Sequence, residues 1–469
     1  MSENNQSIAL VWRLIIGLLV VAGLSALAWN FLHWILEIPD EDIVQNSQEC
    51  LSDYGTSERS ARRSLGEKIL IAKLTSEEKK AAVQAFAECD FETAADKLEA
   101  HLKVKLNDPE ALIYLHNAKA AASGKTLKIV ASVPIGETLD FAQEVLRGVA
   151  QAQKEVNGEG GINGKQLLVE IANDDNDPEI VRELAAEFVA DTKILAVVGH
   201  NSSSASEAGA PIYDDEGLVM VSATSGSMKL SQFQKYVFRT VPNARVHAEA
   251  LANGIYETYY KDGNLNTIAI CFDSQDSYSK SFKDEFIVAI ADIGVSVPST
   301  ECDLAVPSKN FDANAISEAI AQEADGLLLA ASYKNRNNAI SIIKAISIIK
   351  GNQKRLFATR NMYVNETIKE AGEAGKGMVL AVPGYSEDFL TKAFGLWNAK
   401  VNWRTAMAYD AAGVIIAGLK QGNSREDLQR ALSDQDFFLE DGATGTVKFL
   451  PSGDREVQDQ QQVKLVTIE

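Results

Sequence analysis

The sequence predicts an α/β protein of two similar lobes, each a parallel sheet with helices on both faces. Three observations carry that expectation: short apolar runs recur, amphipathic helical stretches separate most of them, and there are too many for one sheet. The runs are "LKIVASVPI" (127–135), "KQLLVEIAND" (165–174), "KILAVVGH" (193–200), "GLVMVSAT" (217–224), "NTIAICFD" (266–273), "ADGLLLAAS" (324–332), "KRLFATR" (354–360) and "KGMVLAVPG" (376–384). Alternation of strand and helix builds parallel sheets, because a parallel pair needs a crossover connection. Spread over roughly 260 residues, these strands exceed one comfortable sheet. Ligands in such folds sit beyond the carboxyl ends of the strands, and a cleft between two lobes sets those ends face to face.

The chain has 469 residues, which points to two or three domains. Lys and Arg number 45 against 65 Asp and Glu, a net charge of −20. No long basic run offsets the excess, which argues against a nucleic-acid partner. Near the start, Leu14–Leu36 reads "LIIGLLVVAGLSALAWNFLHWIL". As a helix it reaches about 35 Å at roughly 1.5 Å per residue, enough to cross a bilayer core. Arg13 flanks one side, Trp29 and Trp34 the other, and "EIPDED" (37–42) carries no Lys or Arg. The expectation is a cytoplasmic tail (1–13), an uncleaved transmembrane anchor (14–36) and the rest in the periplasm, a single-pass protein of the inner membrane. The small-x-small "ALA" (26–28) offers a signal-peptide reading, against which the apolar run continues past Ala28.

Residues 37–75 are polar and mixed and read as a linker. From 76 to 123 the pattern turns helical, with Ala82, Ala85, Phe86 and Cys89, then Phe91, Ala94, Leu98 and Leu102, then Leu112, Leu115 and Ala118 at helical spacing. Asp90 and Asp108-Pro109 are helix starts. Three short helices joined this way resemble one tetratricopeptide unit plus the first helix of another. A single repeat cannot bury its own face, so it packs on the following domain or on a partner. It serves either as a spacer or as a protein-docking module.

Cys50, Cys89, Cys271 and Cys302 fit no zinc spacing; Cys50 and Cys89 are available for a bridge, and the sequence leaves the pairing open. The five His residues form no metal motif, so neither a metal nor a cofactor is expected. "NDDNDPE" (173–179) lacks the glycine and closing glutamate of a calcium loop and reads as an acidic turn before a helix. "GGINGKQ" (160–166) has the wrong glycine spacing for a phosphate loop. Without a GxSxG, the triple serine at 202–204 has no evident Asp/His pair, and no enzyme is expected.

Those serines follow an apolar strand in "VVGHNSSSASEAGAP" (197–211), where hydroxyls and free N–H groups at a helix start suit an anion or simply cap the helix. They belong to a series in chain order: "LRGVAQAQKEVNGEGGINGKQLLVEIANDDNDP" (146–178), "VVGHNSSSASEAGAPIYDDEGLVMVSATS" (197–225), "YVFRTVP" (236–242), "DSYSKSFKDEF" (276–286) and "NWRTAMAYDAAGVIIAGL" (402–419). Together these motifs resemble the periplasmic binding proteins of the branched-chain amino acid (Leu/Ile/Val) family of ABC transporters, which have the type I periplasmic-binding fold. The resemblance covers about residues 126–469, and domains with such an anchor and helical insert are similar to cyanobacterial receptor-like proteins. It implies three crossings between lobes: lobe 1 at about 126–242 and 385–443, lobe 2 at about 243–384 and 444–469. Such lobes close around one small molecule.

By position the resemblance puts the ligand carboxylate at Ser203 with Ser202 and Ser204, and at Thr224, Ser225 and Gly226. Phe141 falls at an aromatic wall of lobe 1, Tyr278 where a lobe 2 aromatic closes over the ligand, and Tyr333 near another such position. The chain departs from the family where carboxylates hold the ligand ammonium: one position reads Ala244, the other falls near Asn361 in "ATRNMY" (358–363). The family's lobe 1 disulfide is also missing, with Ser202 at one cysteine position. A buried ammonium without a carboxylate is costly. Either Asp140, Asp273 or Asp276 takes that role, or Arg245 and Arg360 receive a second anionic group, as in a dicarboxylate, a ureido acid or an aromatic acid. The resemblance implies a membrane-anchored receptor that captures a small carboxylate-bearing solute for ABC-type uptake or sensing, with a permease or envelope protein as partner. The other reading is an envelope scaffold or regulator that docks proteins through its helical segment and binds no ligand.

Overall fold

The computed structural model describes residues 61–233, 235–261, 263, 265–349, 355–457 and 462–469. The tail, the apolar run 14–36, residues 37–60 of the expected linker and Cys50 lie outside them. Each of the eight apolar runs forms a strand: β2 (Thr126–Val133), β3 (Gln166–Asn173), β4 (Ile194–Val198), β5 (Val219–Ser222), β7 (Ile268–Phe272), β8 (Gly326–Ala330), β9 (Arg355–Thr359) and β10 (Val379–Pro383). Three further strands join them: β1 (Arg63–Ser64), β6 (Val237–Arg239) and β11 (Val463–Thr467). Two sheets result, in the orders β1-β3-β2-β4-β5-β6 and β11-β10-β9-β8-β7. Strands pair in parallel except at one edge of each sheet, where β1 runs antiparallel to β3 and β11 to β10. The protein is thus the two-lobed α/β structure expected.

In lobe 1, α4 (Leu139–Gly158) and α13 (Trp403–Leu419) cover one face of the sheet, and α5 (Pro178–Ala190) and α6 (Ser203–Glu216) cover the other. Gly148 lets α4 and α13 approach: a Cβ there would stand 2.3 Å from the Thr405 carbonyl oxygen and 2.6 Å from the Tyr409 nitrogen. In lobe 2, α7 (Ala244–Ile255) and α8 (Ser277–Asp292) pack on one face, and α9 (Ala313–Glu323) and α10 (Arg336–Ser347) on the other.

Residues 63–64 of the expected linker are the sheet strand β1, which corrects that reading. The helical segment folds as α1 (Glu77–Ala87), α2 (Phe91–Val104) and α3 (Pro109–Ser123), with Asp90 and Asp108 as the N-caps. It is no free-standing spacer. Ala82, Leu98 and Tyr114 share one continuous core with α4, α13 and the sheet of lobe 1. Beneath them Lys79 is wholly buried and held at 2.7 Å by both Asp108 and Glu110, and the Glu110 carboxylate also accepts from Leu70 and Ile71 N–H. A second correction concerns the last crossing. Arg455 donates to the carbonyls of Thr240, Thr444 and Thr446, and Phe449 packs on Phe238, so residues 444–457 stay with lobe 1 and only β11 enters lobe 2.

Where β1 ends, Asn117 of α3 takes over the β3 edge. Its Nδ2 donates to the carbonyls of Leu65 and Val169, both at 2.7 Å, and its Oδ1 accepts from Val169 N–H at 2.9 Å and from Gln153. The amide thereby mimics a strand peptide on a fully buried site. Asn117→Ala leaves those groups unpaired and is expected to cost about 2–4 kcal/mol, read from urea unfolding of the full chain. A loss below about 0.5 kcal/mol would show that this bridge between helix and sheet carries no stability.

Candidate ligand-binding site

The carboxyl ends of β4 and β5 in lobe 1 and of β7, β8 and β9 in lobe 2 open onto a cavity of about 290 Å3. A larger groove of about 800 Å3 adjoins it, and Glu137, Phe141 and Tyr333 line both. The smaller cavity is the candidate site, because the loops that follow the strands converge there.

Beyond β4 the three serines divide the work. Ser202 is the N-cap of α6, its Oγ accepting from Ala205 N–H at 3.1 Å. The Ser203 Oγ accepts from Ser227 N–H at 3.2 Å and ties this loop to the next. Ser204 lines the cavity, and its hydroxyl has no hydrogen-bond partner among the described residues. Thr224, beyond β5, also lines the cavity and donates to the Asn201 carbonyl at 2.7 Å. Ser225 and Gly226 do not line it. The Ser225 hydroxyl is buried against Ser206 and the His200 carbonyl. Gly226 makes room for the wall: a Cβ there would meet Arg360 Nη2 at 2.5 Å and the Tyr278 ring at 2.7 Å. His200 is structural, held by Asp174 at 2.7 Å and the Tyr213 hydroxyl at 2.9 Å.

Phe141 from α4 meets Tyr333, which follows β8, edge to face across the cleft at 4.8 Å. Tyr278, in the first turn of α8, is buried under the Arg360 guanidinium, 4.1 Å from its ring centre, and burial raises its hydroxyl pKa. Arg360 follows β9 and donates to the Tyr278 hydroxyl at 2.9 Å and the Thr224 carbonyl at 3.0 Å, while its buried Nε has no partner among the described residues. Asn361 beside it also lines the cavity. Arg245 is elsewhere, exposed and paired with Glu285 at 2.8 Å, and takes no part in the site.

Of the three aspartates weighed for an ammonium, Asp140 faces the adjoining groove, whereas Asp273 and Asp276 line the cavity. The Cys271–Cys302 disulfide anchors β7 just before them. Asp273 accepts from Gln275 N–H at 2.9 Å and from the Asn335 amide at 2.8 Å. Asp276 caps α8 by accepting from Ser279 N–H at 2.7 Å. Burial pushes its carboxyl up to about 6 against that hydrogen bond, with Asp273 and Glu207 adding repulsion.

Among the residues of this wall that sequence reasoning missed are Trp403 and Arg404, from the first turn of α13. Arg404 is 2% exposed, with its guanidinium 3.9 Å from the Phe141 ring centre and 4.3 Å from that of Trp403. Burial lowers its pKa to about 9, so it stays a cation at neutral pH. The available signal was an arginine at the second position of a helix that is otherwise apolar nearly all round. Cross-cleft contacts close the site: Lys334 to Glu137 at 3.1 Å, Ser227 to Ser277 at 3.2 Å, and the Ser277 hydroxyl to Glu207.

Residues 131–468 match the periplasmic binding protein family. The chain is 26% identical over 347 residues to the leucine-, isoleucine-, valine-, threonine- and alanine-binding protein of Pseudomonas aeruginosa, covering 72% of this chain and 89% of that one. It is 31% identical over 141 residues to the leucine-specific-binding protein of Salmonella typhimurium, covering 30% and 37%. Among solved structures, the branched-chain amino acid transporter substrate binding protein LivJ of Streptococcus pneumoniae in complex with isoleucine superposes with a TM-score of 0.62 at 18% identity, covering 73% of this chain and 100% of that one. A solute binding protein of an ABC transporter from Rhodopseudomonas palustris, in complex with 3,4-dihydroxybenzoic acid, superposes with a TM-score of 0.61 at 15% identity, covering 73% and 93%. These findings correct the expected placement as a single-pass protein of the inner membrane: the matched family is periplasmic, and among the described residues no helix is long and apolar enough to cross a membrane. The two lobes, the cavity at their facing strand ends and the match over both lobes give one conclusion: this chain belongs to the periplasmic binding protein family.

Proposed function

We propose that the chain is the substrate-binding component of an ABC-type transporter and captures a small carboxylate-bearing solute between its lobes. The observation that carries this reading is the first turn of α6. With Ser202 spent on the cap, the N–H groups of Ser203 and Ser204 and the Ser204 hydroxyl remain at the cavity wall, where the helix dipole favours an anion. Phe141, Tyr278 and Tyr333 enclose the carbon skeleton, and Thr224 and Asn361 complete the polar lining. The curated relatives are named for leucine, isoleucine and valine, and one structural relative holds an aromatic acid, which agrees with a carboxylate as the shared ligand group.

The first test is thermal unfolding of the full chain, unfolded and refolded to strip any ligand, against amino acids, carboxylates and ureido acids. A ligand at a hundred times its dissociation constant adds about 2.7 kcal/mol, a shift of a few degrees. Ser204→Ala is expected to weaken that ligand about tenfold or more while leaving the unliganded melting temperature within about one degree. Equal affinity in the variant would remove the serine loop from the site.

Asp276 supplies a pH test. Its folded pKa, about 6, lies above its unfolded value near 3.8, so between these values the folded state holds the extra proton. Stability from this group is therefore present below about pH 4 and lost as pH rises through 6. Relative to Asp276→Asn, which keeps an oxygen for the cap, the unliganded wild type is expected to lose on the order of 2 kcal/mol between pH 4 and pH 7 in urea unfolding. Parallel stability profiles would show that folding does not raise the Asp276 pKa.

A further inference from the structure

The cavity wall is unbalanced in hydrogen bonding. Each of its carboxylates has at least one partner: Asp273 takes two donors, Asp276 takes one from the α8 backbone, and Glu137 pairs with Lys334 across the cleft. Not all of its donors do. Among the described residues, Arg404 Nη1, Arg360 Nε and Trp403 Nε1 are all buried without a partner, and all three residues line the cavity. The Arg404 side chain makes no hydrogen bond or ion pair at all among the described residues. Glu144 acts on it through space, but the Glu144 oxygens are taken by Arg147, Thr405 and Asn402 N–H. A desolvated guanidinium held between two aromatic rings with no carboxylate is costly, and a native fold keeps such groups where a ligand completes them.

We propose that Arg404 forms a second anion subsite and that the solute is a short dicarboxylic acid, one carboxylate at the Ser203–Ser204 turn and the other received by Arg404. This rests on the solute-binding reading given above and narrows its ligand. Arg404 belongs to lobe 1 and Arg360 to lobe 2, and both guanidinium groups lie within 5.4 Å of the Trp403 ring centre, so acceptors of one ligand meet donors from both lobes. A cavity of about 290 Å3 is at the small end of the range for small-molecule sites, roughly 300–1,000 Å3, which suits a skeleton of a few carbons.

The experiment is calorimetric titration of the full, refolded chain and of Arg404→Gln with matched probes: succinate, glutarate and adipate, their monoamides, L-leucine and benzoate. The wild type is expected to bind at least one dicarboxylate about 20-fold or more tightly than its monoamide. Arg404→Gln is expected to lose that preference by weakening the dicarboxylate alone, with the monoamide within about twofold and the unliganded chain still folded. A wild type that binds leucine, benzoate or a monoamide as tightly as every dicarboxylate overturns the dicarboxylate class and leaves the carboxylate receptor standing. Equal weakening of acid and monoamide in the variant makes Arg404 a packing residue and overturns the subsite. If no probe binds the folded wild type, both readings fall.

Discussion

Arg239 is the side chain on which the relation between the lobes and the ligand loop depends. It ends β6, at the first crossing, and is wholly buried. Its guanidinium meets Asp454 at 2.6 Å, in the returning chain of the last crossing, and donates to the Ser227 carbonyl at 2.6 Å and the Ser225 carbonyl at 3.3 Å. The same Asp454 accepts from Ser231 and from Asn243, and Asn243 caps α7 at the start of lobe 2. One ion pair thus fixes two crossings and the segment that carries Thr224 and supports Ser203. Desolvation lowers the Arg239 pKa, and a charge so deeply placed is tolerable only because every partner is present. Its worth is specificity of arrangement more than stability.

The opposite wall depends on a steric constraint. Trp403 and Arg404 reach the cavity only if α13 enters close to α4, and Gly148 supplies that closeness. Further along α13, Asp410 accepts from Ala443 and Thr444 N–H and faces Arg455, so the helix is pinned at its middle to the return of the chain. A helix seated this firmly can hold an uncompensated guanidinium without turning it out to water. The aromatic faces of Phe141 and Trp403 replace part of its lost solvation.

Legibility in the sequence followed the range of the interaction. The eight strands of the apolar runs were readable because burial on both faces forces continuous apolar stretches, and the helix starts because Asp90, Asp108 and Asp177 cap locally. β1 and β6 were not, since two or three residues carry no periodicity and their pairing is dictated by partners far away in the chain. The serine loop, Phe141, Tyr278 and Tyr333 could be placed through resemblance, and the division of roles among Ser202, Ser203 and Ser204 could not, because it depends on Ser227 from another loop. Arg360 was noticed yet ranked beside Arg245, which has the same chemistry and ends on the surface. Arg404 passed unnoticed. Nothing local distinguishes an arginine that lacks a partner from one that has found one.

Apart from the buried Arg360 bond to the Thr224 carbonyl, about 1.5–3 kcal/mol, the contacts that join the lobes directly are modest. The Lys334–Glu137 pair is largely exposed on the lysine side, and such pairs contribute roughly 0–1 kcal/mol. The Ser277 hydroxyl bond to Glu207 and the Phe141–Tyr333 edge contact contribute about 1 kcal/mol each. Contacts of that size leave open and closed arrangements within a few kcal/mol of each other, so a ligand shifts the balance only by its differential affinity for the closed one. A group bound by the α6 turn alone supplies no such difference, because that turn is intact in lobe 1 whether the cleft is open or shut. Acceptors shared between Arg404 of lobe 1 and Arg360 of lobe 2 do supply it, since both guanidinium groups converge on Trp403 only when the lobes meet. On the proposed reading, the donors left unpartnered in the cleft are therefore what couples recognition of the solute to closure.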